Sequence, residues 1–250
     1  MFSLTPEKFK ETNGYVIDGV WYPRVTSIIG IKSKPALYYF YAEMKNFKQG
    51  EDVKKQSAEE GTLLHETVES ILLGKETEID SSIRPAVEAF IKFKDEKNIQ
   101  ADAEWMERRV VNYDERYAGT IDALALIDGK FGVLDIKTSQ AIYRDYNLQT
   151  SAYMEPLQRQ LNKLSTRWII RIDQNQKCLK CRAILRTKGG REKIKTGNGS
   201  ASCSHEWGPV QGEVELKEFP YYEDDYSAFL GAKKLWEWEN DWLLKQVGYF

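Results

Sequence analysis

Two apolar runs, residues 117 to 127 and 130 to 137, are separated only by Asp128-Gly129. Asp-Gly between strand-like runs favours a two-residue hairpin turn with positive φ at both positions. That turn fixes a register. With Ile127 opposite Lys130, counting outward puts Asp122 opposite Asp135 and Thr120 opposite Lys137. Directly opposed Cβ atoms lie about 4.5–5.5 Å apart. Asp135 and Lys137 are two apart, so they share one face of their strand. A bulge at Gly132 would shift this pairing.

Two opposed carboxylates in a mostly apolar hairpin repel each other, and neither is cheaply desolvated alone. A divalent cation between them would relieve both costs, and oxygen-rich sites of this kind favour Mg2+ or Mn2+. A lysine beside such a metal can position or deprotonate an attacking water. Read alone, the D-x-K tripeptide fits equally a strand end surfacing into solvent. His65 and Glu69 stand four apart in a helical rhythm and share a face. They suit either a surface pair or a metal site, since imidazole binds Mn2+ or a transition metal better than Mg2+. Gln149 and Tyr153 repeat the spacing in a later helix, and Glu107 lies in the run before the hairpin.

Taken in order, Gly61-Thr62-x-x-His65-x-x-x-Glu69, Glu107, Gly119-x-x-Asp122, Asp135-x-Lys137 and Gln149-x-x-x-Tyr153 resemble the motifs of the PD-(D/E)XK nuclease superfamily. More narrowly, they are similar to its RecB-type exonuclease branch. The segment from Tyr22 to Ile28 is similar to the start of phage-encoded members and of the mitochondrial genome maintenance exonuclease. The resemblance covers residues 20 to 172 and resumes in the C-terminal helix.

It implies a restriction-endonuclease-like core: an α/β (α+β) fold with a central mixed sheet flanked by helices. It implies that His65, Asp122 and Asp135 are metal ligands together with the Ile136 carbonyl. Lys137 would orient or activate the nucleophilic water. Glu69 and Glu107 would make secondary metal or water contacts, and Gln149 and Tyr153 would position DNA or brace the lysine. The implied reaction is Mg2+- or Mn2+-dependent hydrolysis of DNA phosphodiesters. The implied setting is phage or bacterial replication, recombination or repair, with a partner protein from that system. A structure-specific endonuclease on the same core and an inactive, zinc-containing DNA-binding subunit are the alternatives.

The remaining chain fits that architecture. The 250 residues suit one domain, and 42% hydrophobic with 12% aromatic content suffices for a core. Asp18-Gly19 predicts a hairpin over 15 to 23. Helices are expected from Pro35 to a stop at Gly50, over 57 to 73 with Gly74 closing, over 82 to 97, and over 145 to 162. Strands are expected at 104 to 112, 167 to 172 and EVELKEF. A Trp-rich helix over 222 to 244, with Trp236, Trp238 and Trp242, is expected to face the core. No run of about 18 apolar residues predicts a membrane span. The N-terminus lacks the apolar stretch of a signal peptide, so a cytoplasmic location in a bacterial or phage-infected cell is expected.

Residues 174 to 212 read as a polar insertion holding all three cysteines. Cys178-x-x-Cys181 and Cys203-x-His205 supply the ligand count of a closed structural zinc site. Free thiols in a long loop are the alternative. A loop of roughly 40 residues is hard to order by packing alone, and a metal could supply that order. Over residues 177 to 195, Lys177, Lys180, Arg182, Arg186, Lys188, Arg191, Lys193 and Lys195 accompany a single glutamate. With 36 basic and 38 acidic residues the chain as a whole is not basic. A local patch is therefore the expected DNA contact.

Overall fold

The computed structural model describes residues 5–196 and 202–250. The chain opens with α1 (Pro6–Asn13), the hairpin β1 (Gly14–Ile17) and β2 (Val20–Pro23), and α2 (Val25–Ile29). Helices α3 (Pro35–Ala42), α4 (Phe47–Leu72) and α5 (Arg84–Glu96) follow. Next come β3 (Gln100–Ala101), a 3-10 turn, β4 (Arg109–Asn112), β5 (Tyr117–Thr120), β6 (Ala123–Ile127) and β7 (Lys130–Lys137). The remainder is α6 (Asp145–Gln160), β8 (Thr166–Cys178), β9 (Ile184–Lys188), β10 (Arg191–Lys195), β11 (Trp207–Glu218), α7 (Glu223–Glu239) and α8 (Asp241–Gln246). This is a mixed α+β fold.

Among the described residues, seven strands form the central sheet, in the order β10-β9-β8-β7-β6-β3, with β11 paired to the free edge of β8. All its pairings are antiparallel except β7 with β8, which α6 connects. Alternation along the strands explains the layers. Ala123, Ala125, Leu134 and Ile136 turn toward Leu64 and Val68 of α4 and Phe90 of α5. Leu124 and Val133 turn toward Tyr153 and Leu157 of α6, Ile28 of α2 and Phe229 of α7.

The hairpin register is the one the Asp-Gly turn dictates. Ile127 pairs with Lys130 and Ala123 with Leu134, without a bulge at Gly132. Asp128 and Gly129 take φ of 50° and 77°. The expected strand over 117 to 127 nevertheless breaks after Thr120. Thr120 pairs with Arg109, and Lys137 pairs with Arg171, so Thr120 and Lys137 are not opposite. The break lets β5 leave the main sheet to join β4.

Four further expectations need correction. Gly50 does not close a helix; it lies inside α4, where a Cβ would come within 2.6 Å of the Tyr41 ring. The helix over 57 to 73 begins ten residues earlier than expected, at Phe47. Residues 174 to 212 are mostly strand rather than loop: β8 runs on to Cys178, and β9 and β10 form a hairpin. Of the C-terminal tryptophans only Trp236 is buried, while Trp238 and Trp242 are 73% and 63% exposed. No helix among the described residues is long and apolar enough to cross a membrane.

Candidate active site and metal centres

The break at Ile121-Asp122 leaves Asp122 beside the end of β7. The Ile136 N–H donates to Asp122 Oδ2 at 2.6 Å, replacing the ladder bond that the break removes. From the opposite layer, α4 projects His65 over the sheet end. His65 Nε2 lies 3.1 Å from the same Oδ2, and its Nδ1 lies 2.6 Å from Glu69 Oε1. Glu69 thus holds the imidazole from behind, the usual role of an outer partner to a histidine ligand. Glu107 is not in a strand. It sits in a left-handed turn at φ 50°, its N–H donating 3.0 Å to the Asp122 carbonyl. A non-glycine residue in that conformation is strained, and here the strain aims a carboxylate into the pocket.

Donor atoms of His65, Glu107 and Asp122 lie within 4.8 Å of one another. Asp135 is 1% exposed and turned toward Lys137, whose Nζ lies 2.8 Å and 2.7 Å from its two oxygens. One pocket of about 510 Å3 is lined by His65, Glu69, Glu107, Ile136 and Lys137.

The electrostatics follow from four carboxylates facing two cations. Burial opposes charge on His65, but the hydrogen bonds it donates to Asp122 and Glu69 outweigh it and push its pKa to about 10. Burial, then Glu69 and Asp122, push Glu107 up to about 8. Burial lifts Asp135 to about 6 although Lys137 opposes this. Burial of Asp122 is offset by His65 and Lys137, and its pKa falls. Burial also works against the Lys137 ammonium, but Asp135 and Asp122 hold its pKa above the usual lysine value. Glu107 and His65 therefore retain protons at neutral pH that a divalent cation could replace. The donor set fits such an ion.

Gln149 Nε2 donates to the Tyr153 hydroxyl at 3.2 Å. Tyr153 is buried against β5, and a Cβ on Gly119 would sit 2.3 Å from its ring. The Gly-x-x-Asp spacing thus has a steric cause: Gly119 admits Tyr153, which braces the strand that delivers Asp122. Two groups escaped the sequence reading. Tyr146, one turn before Gln149, lies with its ring 5.0 Å from Lys137 Nζ. Thr138 accepts at its hydroxyl from Lys188 Nζ at 3.1 Å and at its carbonyl from Arg186 at 3.4 Å. The helix spacing of Tyr146 was a visible signal; Thr138 carried none.

Those basic contacts have a topological origin. Strand β11 occupies one edge of β8, so β7 and β9 must share the other, end to end. The tip of the β9–β10 hairpin therefore lies where β7 stops. Arg186 pairs with Lys193 and Lys188 with Arg191, four cations on one face. All four, with Phe40 and Tyr143, line a second pocket of about 360 Å3. Its boundary shares Ser57, Ala58 and Thr138 with the carboxylate pocket. Gly189 at the hairpin tip donates to Glu60 of α4 at 3.1 Å and 3.0 Å, and Arg191 pairs with Glu43. The hairpin thus straps the end of β7 to α4. Lys177, Lys180, Arg182 and Lys195 are exposed away from that pocket, Lys180 pairing with Glu206 at 3.2 Å.

Cys178, Cys181, Cys203 and His205 form the second donor group, their ligand atoms within 4.8 Å of one another. This group could hold a metal ion. Cys181 Sγ lies 3.4 Å from His205 Nδ1. The N–H groups of Lys180 and Ala183 donate to Cys178 and Cys181 at 3.4 Å. Burial opposes ionisation of Cys178, but the Lys180 N–H and His205 bring its pKa down to about 6. Burial and the other two sulfurs push Cys203 up to about 11. Comparison with known protein families finds no matching family model, and no curated protein matches the chain.

Proposed function

We propose that the protein is a metal-dependent DNA nuclease of the PD-(D/E)XK type, acting as an exonuclease in phage or bacterial replication, recombination or repair. One observation carries the reading: residues from a helix, a strained turn, a strand break and a strand end converge as four carboxylates, one imidazole and one lysine. A packed core has no need of such a charge excess, and removing it from water is costly.

A bound Mg2+ or Mn2+ would supply Lewis-acid polarisation of the phosphate and charge for the leaving oxygen. His65, Asp122, Asp135 and the Ile136 carbonyl, with Glu107, would hold it. Glu69 orients His65. Lys137 keeps its proton at neutral pH and so acts as a donor that orients the attacking water or a phosphate oxygen. Tyr153 and Gln149 brace the β5 segment, and Tyr146 confines Lys137.

Substrate binding falls to the hairpin. Like charges directly opposed across two strands destabilise them, and Arg186 with Lys193 and Lys188 with Arg191 repeat this twice. Asp173 and Glu43 compensate Arg186 and Arg191, and a phosphate backbone would compensate Lys188 and Lys193, which supports DNA as the partner. An ion held by Cys178, Cys181, Cys203 and His205 would be a structural Zn2+, since three thiolates and an imidazole are its preferred closed set. It would tie the start of the hairpin to the segment leading into β11.

Incubation with Mg2+ or Mn2+ on linear and closed circular DNA tests the proposal. Loss of linear DNA alone is expected. Cutting of circles would identify an endonuclease, and binding without cutting would reject enzymatic activity.

A further inference from the structure

Most buried or half-buried arginines here meet a carboxylate: Arg167 meets Asp225, Arg171 meets Glu215, Arg186 meets Asp173 and Arg191 meets Glu43. Half-buried Arg116 donates to the Gly248 and Tyr249 carbonyls, whereas half-buried Arg24 and exposed Arg109 meet no carboxylate. Both pack on the ring of Tyr15, with guanidinium carbons 4.6 Å and 3.7 Å from its centroid. Among the described residues, neither side chain has a hydrogen bond or an ion pair. Arg24 Nε is moreover buried without a partner. A buried donor left unsatisfied costs about 1–3 kcal/mol, so the arrangement calls for an acceptor the chain does not provide. Stacking on a phenol ring leaves the in-plane N–H fork of a guanidinium free, and that fork matches the geometry of a phosphate.

The pair lies next to the carboxylate cluster. Arg24 bridges Ala118, and Arg109 pairs with Thr120, so the two flank Gly119, on which Tyr153 rests. Arg109 is two residues beyond Glu107, whose N–H bonds the Asp122 carbonyl. The basic hairpin borders the cluster on the β9 side. Arg24 and Arg109 border it on the β5 side.

We propose that Arg24 and Arg109, presented by Tyr15, form a phosphate-binding subsite that takes a nucleic-acid phosphate neighbouring the one held at the carboxylate cluster. The identity of the polymer rests on the nuclease reading. The phosphate could be an internal diester or a terminal monophosphate.

Binding of labelled oligonucleotides by fluorescence anisotropy in EDTA, over a range of salt concentrations, tests this on the full chain. Arg109→Ala should weaken binding about tenfold and lower the log–log salt slope by about one. The Arg24→Ala, Arg109→Ala double variant should lower the slope further. Arg109→Lys should restore the slope but not the full affinity, because lysine is a point charge without the fork. Melting temperatures near that of the wild type verify the folds, and Arg109, being exposed, is the safer site. An equal loss on circular and linear oligonucleotides identifies an internal diester. A loss confined to phosphorylated ends identifies a terminal monophosphate. An unchanged slope and affinity, or no binding by the wild type, overturns the subsite. Hydrolysis by the wild type with Mg2+ is read separately. A slope effect without hydrolysis would retain the subsite and reject the nuclease, and hydrolysis with an unchanged slope would do the reverse.

Discussion

His65 comes from α4, Glu107 from a turn and Asp122 from the break between β5 and β6, whereas Cys178, Cys181, Cys203 and His205 come from two short stretches flanking one hairpin. The first group is hard, oxygen-rich and anchored to buried strands. The second is soft, sulfur-rich and lies at the outer end of β8. The contrast separates a site whose geometry the core enforces from one whose geometry a metal must complete. A cluster built on rigid elements can hold charge in a strained arrangement, as Glu107 does. A cluster on a peripheral hairpin serves to hold that hairpin.

The largest expected effect breaks the two groups apart. Lys137→Ala should lower turnover by about 10^2–10^4-fold, the usual worth of a positioned proton-transfer or water-orienting group. Steady-state hydrolysis of linear DNA measures it, with circular dichroism to verify the fold. Activity near wild type would remove Lys137 from the site.

Cys178→Ser with Cys181→Ser should instead leave the carboxylate cluster intact and free the hairpin. Elemental analysis should show about one zinc per chain in the wild type and none in the variant. Hydrogen exchange should speed up across 184–195 while β6 and β7 stay protected. Equal zinc in both proteins would reject the second centre.

Gly119→Ala probes the brace between the two layers. A Cβ 2.3 Å from the Tyr153 ring should cost about 1–3 kcal/mol in a denaturant titration. Tyr153→Leu in the same background should recover part of that loss. No destabilisation by Gly119→Ala would mean that the ring yields freely.

The smallest effect concerns pH. Burial, then the Arg186 charge, bring Lys188 down to about 8. The ammonium that attracts phosphate is therefore present below pH 8 and is lost as pH rises through it. DNA affinity should fall above pH 8 by about the worth of one phosphate contact. A bound phosphate favours the charged form and would extend the decline upward. Lys188→Arg should flatten the profile, and an unchanged profile would detach Lys188 from the DNA.

Much of the carboxylate site was legible in the sequence. The Asp128-Gly129 turn set the register through Ala123 and Leu134, because a two-residue turn leaves one way to pair its flanks. Helical periodicity put His65 and Glu69 on one face, and cysteine spacing marked the second donor group. The break at Ile121 was not legible, since YAGTIDALALI reads as one strand. Glu107 likewise carried no local sign of a left-handed turn. The role of Gly119 was hidden because its neighbour, Tyr153, arrives from 34 positions away.

By itself, the sequence determined the local order: which runs alternate, which turns reverse the chain, and which side chains share a strand or helix face. Those are interactions over a few residues, governed by backbone geometry. Only the tertiary structure decided that β7 and β9 lie end to end on one edge of β8, bringing the basic hairpin to Thr138. Only it brought Arg24 and Arg109 to the same tyrosine, without a carboxylate. Both depend on edges and layers filled by distant segments, and no local pattern records which segment fills them.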